Sequence, residues 1–81
     1  MLGLMQNRPL LISNIVDYVS TWHASTEIVS RDPQGVIHRS NYGEVTKRAK
    51  RVANALEKLG VGHGDRVATL AWNSWRHLEL Y

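Results

Sequence analysis

Histidine has the broadest chemistry of the residue types in this chain, since it can ligate metals and move protons near neutral pH. The four histidines are His23, His38, His63 and His77. They lack the i, i+4 or short-loop spacing of metal ligands, and no carboxylate cluster accompanies them. No serine or threonine stands in a nucleophile-elbow pattern. The sequence therefore predicts no catalytic, cofactor-binding or metal-ligating residue.

Three glycines, Gly60, Gly62 and Gly64, form the pattern G-x-G-x-G. This is one residue short of the dinucleotide fingerprint. It also precedes an apolar run, whereas a phosphate-binding loop follows a strand and opens a helix. We interpret the glycines as a helix stop followed by a tight turn.

The formal charge of +3 arises from 10 Lys and Arg against 7 Asp and Glu. Four of the basic residues are clustered at Lys47, Arg48, Lys50 and Arg51. On a helical wheel most of this cluster lies opposite an apolar face formed by Val45, Ala49, Val52, Ala53, Leu56 and Leu59. The pattern favours a solvated face. The alternative hypothesis is a small free-standing binding module that uses the basic helix 42–59 on an acidic partner or nucleic acid. Interleaved aromatic residues, which favour nucleic-acid binding, are absent from this segment, so we expect no nucleic-acid partner.

Five elements and a final partial helix are expected to position these residues. Apolar periodicity predicts a first helix over residues 10–22, and β-branched runs predict a hairpin of strands 27–31 and 36–40. Asn41, with Glu44 three residues later, predicts an N-cap and capping box for a long helix over 42–59, which Gly60 ends. The charge-free run Val67 to Trp72 predicts a strand over 66–72 buried on both faces. Asn73 or Ser74 caps a last helix over 75–81.

This order of elements predicts an α/β fold: the N-terminal fragment of a large layered α/β domain, with residues 1–81 as one partial subdomain without an internal boundary. A doubly buried strand needs neighbours that the hairpin and two helices do not supply. Trp75, Leu78 and Tyr81 share one helical face, so we interpret the aromatic residues Trp72, Trp75 and Tyr81 as core or subdomain-contact residues rather than as a ligand cage. We expect the isolated chain to self-associate through strand 66–72 and the last helix.

The composition of the chain restricts the cellular compartments in which the protein is expected. Hydrophobic residues make up 43% of the chain, as in globular proteins, and there is no cysteine for a disulfide, thiolate or zinc site. The apolar start, residues 1–5, is interrupted by Gln6, Asn7 and Arg8 before a signal-peptide core can form. No charge-free run approaches the roughly 20 residues that span a bilayer. We therefore expect a cytoplasmic protein.

Several short motifs, in order, carry a resemblance to a known family. They are Asn41-Tyr42-Gly43-Glu44-Val45, Ala53-Asn54-Ala55-Leu56, Leu59-Gly60-Val61, Gly64-Asp65-Arg66-Val67-Ala68 and Trp72-Asn73-Ser74. The chain resembles the N-terminal segment of the AMP-forming acyl-CoA synthetases of the adenylate-forming superfamily. More narrowly, it is similar to bacterial medium- and long-chain fatty-acyl-CoA ligases. Asn41 and Val45 depart from the usual Thr or Ser and Leu but keep the capping and core roles.

The resemblance implies an ATP-dependent ligase that converts a fatty acid to an acyl-adenylate and then to acyl-CoA, with ATP, Mg²⁺ and coenzyme A used by the full-length enzyme. The family's phosphate loop, nucleotide-contacting motifs, acyl tunnel and catalytic lysine are expected beyond residue 81. No functional residue is therefore carried over, and the 81 residues alone are expected to bind no cofactor and to be inactive. Because the acyl tunnel is expected beyond residue 81, this sequence does not indicate which acid the full-length enzyme prefers.

Overall fold

The described part of the chain forms three helices and one β-hairpin, a mixed α/β arrangement that confirms the predicted class. The computed structural model of the protein describes residues 3–81. The elements in chain order are α1 (Ile12–Trp22), β1 (Glu27–Arg31), β2 (Ile37–Asn41), α2 (Tyr42–Lys58) and α3 (Trp75–Leu80). In the part of the chain that is described, no helix combines the length and apolar character needed to cross a membrane.

The hairpin forms because Asp32 organises its turn. The Val36 amide N–H donates to Asp32 Oδ1 (2.8 Å), while the Asp32 and Gly35 amides close the turn through backbone hydrogen bonds. β1 and β2 pair antiparallel, with Glu27 opposite Asn41 and Val29 opposite Arg39. The first strand matches its predicted bounds, and the second begins and ends one residue later than predicted.

Local capping signals set both ends of α2, as predicted. Asn41 Oδ1 accepts the Glu44 amide N–H at 2.9 Å, which is the Asn41 half of the capping box. At the other end Gly60 has φ +90°. The amides of Gly60 and Val61 donate to the carbonyls of Glu57 and Leu56 in a Schellman arrangement. The predicted end at Leu59 is the C-cap position, one residue past the last helical residue.

The start of α2 packs closely on the loop that leads into β1. The Gly43 amide donates to the Ala24 carbonyl oxygen (2.9 Å), and a Cβ at Gly43 would lie only 3.2 Å from that oxygen. Glycine permits this approach because it has no side chain to displace the loop. The contact ties the end of α1 to α2. α1 itself begins at Ile12, two residues later than predicted, and its first turn is closed by a hydrogen bond from the Asn14 amide to the Leu11 carbonyl.

The predicted strand over residues 66–72 is wrong for this chain: residues 61–74 contain neither helix nor strand. A strand exists only when a neighbour receives its backbone hydrogen bonds, and the described sheet has only β1 and β2. Leu70 and Trp72 are consequently exposed rather than buried. The helix predicted after this segment does form, over Trp75–Leu80, with Ser74 at the N-cap position but without a side-chain capping bond.

The described residues build very little hydrophobic core. Val45 is the one buried hydrophobic residue among them, at 8% exposed. On the predicted apolar face of α2, Ala49, Val52 and Leu56 are half-buried, whereas Ala53 and Leu59 are exposed. The Cα radius of gyration is 15.6 Å, whereas a compact domain of this length would have about 12 Å. The elements therefore lie in an open arrangement.

Candidate functional site

The densest group of polar and aromatic side chains lies where α3 meets the hairpin and α2. We call this group the α3 cluster. It consists of His38 on β2, Arg48 on α2, Thr69 before α3, and Trp75, His77 and Glu79 on α3. Because α3 has only six residues, it cannot be stable by itself. These contacts therefore position it.

Trp75 is the centre of the cluster. Its indole ring stacks on the His38 imidazole with centroids 4.2 Å apart and planes 13° apart. Its backbone N–H donates to Ser30 Oγ at 3.0 Å. The guanidinium carbons of Arg48 and Arg76 lie 5.2 Å and 4.9 Å from the Trp75 ring, within cation–π range. One residue, through its backbone and its side chain, thus connects α3 to both strands and to α2.

An ion pair adds a second connection between α2 and α3. Arg48 Nε donates to Glu79 Oε1 at 2.6 Å, and the side chains are 46% and 6% exposed respectively. The Glu79 side chain is therefore nearly inaccessible to solvent, whereas the Arg48 side chain is about half exposed. A buried carboxylate needs such a charged partner to offset its lost hydration.

His77 connects α3 to the segment before it. Its Nε2 lies 2.8 Å from Thr69 Oγ1, and its Nδ1 lies 3.4 Å from the Tyr81 hydroxyl. A hydroxyl beside an imidazole is the start of a nucleophile–base pair, but such a pair also needs a group that orients the base. In this structure the group beside His77 Nδ1 is the Tyr81 hydroxyl, which at 3.4 Å is too distant to orient the imidazole firmly. The arrangement anchors residue 69 to α3 and does not assemble a catalytic triad.

The remaining histidines lie apart from this group. His23 is exposed, and its ring lies 5.6 Å from that of Tyr18. His63 is exposed in the glycine-rich turn. Between residues 3 and 81, no three His, Cys, Asp or Glu side chains come together in a group able to hold a metal ion. His38 is instead used for stacking, and its buried Nδ1 has no hydrogen-bond partner.

Within the glycine-rich turn, a backbone amide is hydrogen-bonded to an aspartate carboxylate of the same turn. The Gly62 amide N–H donates to Asp65 Oδ2 at 2.7 Å, and the Asp65 amide donates to the Gly62 carbonyl. A phosphate-binding loop must present free amides to its ligand. The Gly62 amide is already satisfied by a carboxylate, which supports the interpretation of this segment as a structural turn.

The basic cluster of α2 divides into two parts. Lys47, Lys50 and Arg51 are exposed, as the predicted solvated face requires. Arg48 differs because it turns toward Trp75 and Glu79. Sequence reasoning missed this role, and it also missed the burial of His77 and Glu79 on α3. The predicted face of Trp75, Leu78 and Tyr81 is only partly engaged: Trp75 is half-buried, whereas Leu78 and Tyr81 are exposed.

Comparison with known proteins shows to which class of protein this helix–hairpin–helix arrangement belongs. The family model described as AMP-binding enzyme matches residues 18–81. The chain therefore belongs to the AMP-binding enzyme family, which confirms the resemblance inferred from its motifs.

Three relatives narrow the comparison. The 3-methylmercaptopropionyl-CoA ligase of Ruegeria lacuscaerulensis is 49% identical over all 81 residues. The medium-chain-fatty-acid–CoA ligase of Ectopseudomonas oleovorans is 43% identical over the same length. The long-chain-fatty-acid–CoA ligase of Thermus thermophilus is 43% identical over 77 residues, or 95% of the chain. The chain spans about 15% of the length of the first two relatives and 14% of the third.

Proposed function

We propose that this chain is the N-terminal structural part of an ATP-dependent fatty-acid–CoA ligase. Family membership and the shared type of the three relatives support this proposal, since each of them is a CoA ligase. In the complete enzyme, ATP and Mg²⁺ would serve activation of the carboxylate, and coenzyme A would accept the acyl group. The role of residues 1–81 would be to fold against the parts that perform this chemistry.

We further propose that residues 1–81 do not themselves bind ATP or Mg²⁺. In-line displacement at phosphorus needs positioned cations and free backbone amides around the phosphates. Here the Gly62 amide is bound by Asp65, and the Arg48 guanidinium is bound by Glu79. We therefore assign no step of the reaction to this chain and propose that it is inactive alone.

The acyl substrate would be selected outside this segment. The three relatives are named for different acids, a methylthio-substituted propionate and medium- and long-chain fatty acids, although each is at least 43% identical to this chain. The degree of identity between this chain and a ligase thus does not depend on which acid that ligase is named for. We further propose a cytoplasmic location, because ATP and coenzyme A, the co-substrates of the proposed reaction, are cytoplasmic metabolites.

The observation that carries the proposal is the similarity over the whole chain to a segment of known ligases. A chimera tests it: residues 1–81 replace the aligned segment of the Ectopseudomonas oleovorans ligase. We expect the chimera to release pyrophosphate with ATP, Mg²⁺ and a medium-chain fatty acid and then to form acyl-CoA. Its preference among fatty acids should be that of the Ectopseudomonas oleovorans ligase. The free chain should show neither product. A folded chimera without activity, or turnover by the free chain after contaminating ligase is removed, would contradict the proposal.

A further inference from the structure

One row of side chains along α2 is basic and exposed. Lys47, Arg51, Asn54 and Lys58 stand at positions i, i+4, i+7 and i+11, a spacing that aligns them on a single stripe of an α-helix. We call these four residues the basic row. The rise of the helix makes the row about 16 Å long. Each of the four residues is exposed, as is Lys50 beside them.

The packing of α2 turns the basic row outward. The apolar residues of α2 that are buried or half-buried lie on the opposite side of the helical wheel: Val45, Ala49, Val52 and Leu56. The ion pair of Arg48 with Glu79 holds the helix in this rotation, because it ties the inner side of α2 to α3. Capping bonds also fix both ends of α2. The basic row is therefore presented on a rigid element.

The charges of the basic row lack an internal counterion. Between residues 3 and 81 the ion pairs are Arg39–Glu27 and Arg48–Glu79, and neither includes a member of the row. Lys47 and Arg51 are instead like charges four positions apart on one helix, an arrangement that destabilises the helix. An anionic partner would relieve this repulsion. The basic row therefore fits an anionic ligand.

The surroundings of the row indicate which kind of anion fits. The row has no aromatic side chain on which a base could stack and no apolar side chain that could enter a lipid layer. On the helical wheel, the exposed carboxylates of Glu44 and Glu57 flank the basic residues on either side. A broad anionic surface, such as a DNA duplex or a bilayer, would also approach these carboxylates, which would repel it. A narrow anionic partner would not.

A second helix is a narrow partner whose side chains repeat at the same intervals. Carboxylates at i, i+4, i+7 and i+11 would lie opposite the four members of the basic row, and this spacing is the same when the helix is reversed. The seven Asp and Glu residues of the present chain do not recur at that spacing. A second copy of the chain therefore does not match the row.

We propose that the basic row is a docking surface for an acidic α-helix of another protein. Carboxylates of that helix pair with Lys47, Arg51 and Lys58, and the Asn54 side-chain amide donates a hydrogen bond to a further carboxylate. The inference goes beyond the proposed ligase function and does not rest on it. A nucleic acid and a lipid surface are the other outcomes of the test.

Fluorescence anisotropy with the full chain tests this at low ionic strength. The probes are two labelled alanine- and glutamine-rich peptides of equal composition: one has glutamates at i, i+4, i+7 and i+11, and the other has the same glutamates spread around the helix. The chain should bind the first peptide about 10-fold more tightly than the second. Added salt should weaken this binding.

Two pairs of substitutions with the same change in net charge locate the site. Lys47→Glu/Arg51→Glu should lower the affinity for the first peptide by about 10-fold or more. The matched control, Arg31→Glu/Arg66→Glu, changes exposed positions outside α2 and should lower it by less than about 3-fold. Far-UV circular dichroism checks that each variant is folded. Should the first variant fail to fold, Lys47→Gln/Arg51→Gln provides the same comparison with a smaller change.

Several results would overturn the proposal. Equal affinity for the two peptides, or equal losses in the two variants, would show attraction by net charge alone. Tighter binding of a DNA duplex or of phosphatidylcholine–phosphatidylglycerol vesicles, lost in Lys47→Glu/Arg51→Glu, would assign the row to nucleic acid or to a lipid surface. Absence of binding to either peptide would remove the docking surface altogether. None of these outcomes bears on acyl-CoA formation by the chimera, so the two proposals are tested separately.

Discussion

The Arg48–Glu79 ion pair should respond very differently to removal of its two partners. Glu79 is 6% exposed and Arg48 is 46% exposed, with Nε and Oε1 2.6 Å apart. When Glu79 is replaced by alanine, water can still hydrate the half-exposed guanidinium. When Arg48 is replaced by alanine, the carboxylate is left without a charged partner in a place that water scarcely reaches. Unpaired buried charge is the costly outcome.

The expected magnitudes follow from this asymmetry. Arg48→Ala should lower the free energy of unfolding by about 3 kcal/mol, the lower end of the range for breaking a buried pair. It also removes the contact with Trp75, 5.2 Å from the guanidinium carbon, which contributes about 0.5–1 kcal/mol. Glu79→Ala should cost about 1–2 kcal/mol, comparable to a lost charge-assisted hydrogen bond. The double variant should be more stable than Arg48→Ala, since it contains no stranded carboxylate.

Urea unfolding followed by far-UV circular dichroism measures all four proteins, and the double-mutant cycle gives the coupling energy of the pair. Arg48→Met is the matched control for the aliphatic stem, because methionine keeps packing on the Trp75 ring while removing the charge. Equal costs for Arg48→Ala and Glu79→Ala, or strict additivity in the double variant, would refute the reasoning. In that case Glu79 would be hydrated in solution despite its position on α3.

Further predictions concern the helices and the uncovered segment. Leu56→Ala, at a half-buried position of α2, should cost about 1–2 kcal/mol, whereas Arg51→Ala on the solvated face should change stability by less than about 0.5 kcal/mol; equal effects in urea melts would reverse the assigned faces. Asn41→Ala should cost about 1 kcal/mol through the lost N-cap, with the exchange of the first α2 amides as the readout. Gly60→Ala should cost about 1 kcal/mol in thermal melts, because its φ of +90° strains any residue with a Cβ. Self-association through residues 66–72 and α3 should raise the mass seen by light scattering with concentration; a monodisperse monomer would contradict it.

Sequence reasoning succeeded where the determinants are local. Asn41 and Gly60 terminate α2 through bonds to residues only a few positions away, and Asp32 closes the hairpin turn through a neighbour four positions on. Each of these arrangements depends on one side chain or one φ value, so the residue type itself predicts it. The bounds of α2 and both strands were therefore predicted to within one residue.

It failed where contacts join distant parts of the chain. The strand predicted over 66–72 depends on a neighbouring strand that the described residues do not provide, and apolar composition does not reveal whether one is present. Arg48 and Glu79 are separated by 31 positions. Hydrophobicity predicts that Leu78 of α3 is buried before Glu79, but the structure has the reverse because Arg48 stabilises the carboxylate. No pattern within either helix encodes that pairing.

The polar nature of the α3 contacts explains how the chain can be ordered and yet retain so little core. α3 is held by directional contacts, the Arg48–Glu79 pair and the stacking of Trp75 on His38, while Leu78 and Leu80 remain 41% and 45% exposed. Directional contacts fix the orientation of a short helix without using its apolar side chains. Those side chains stay available to a larger core. This division would suit the proposed role of the chain as a segment that folds locally and then packs against the rest of a CoA ligase.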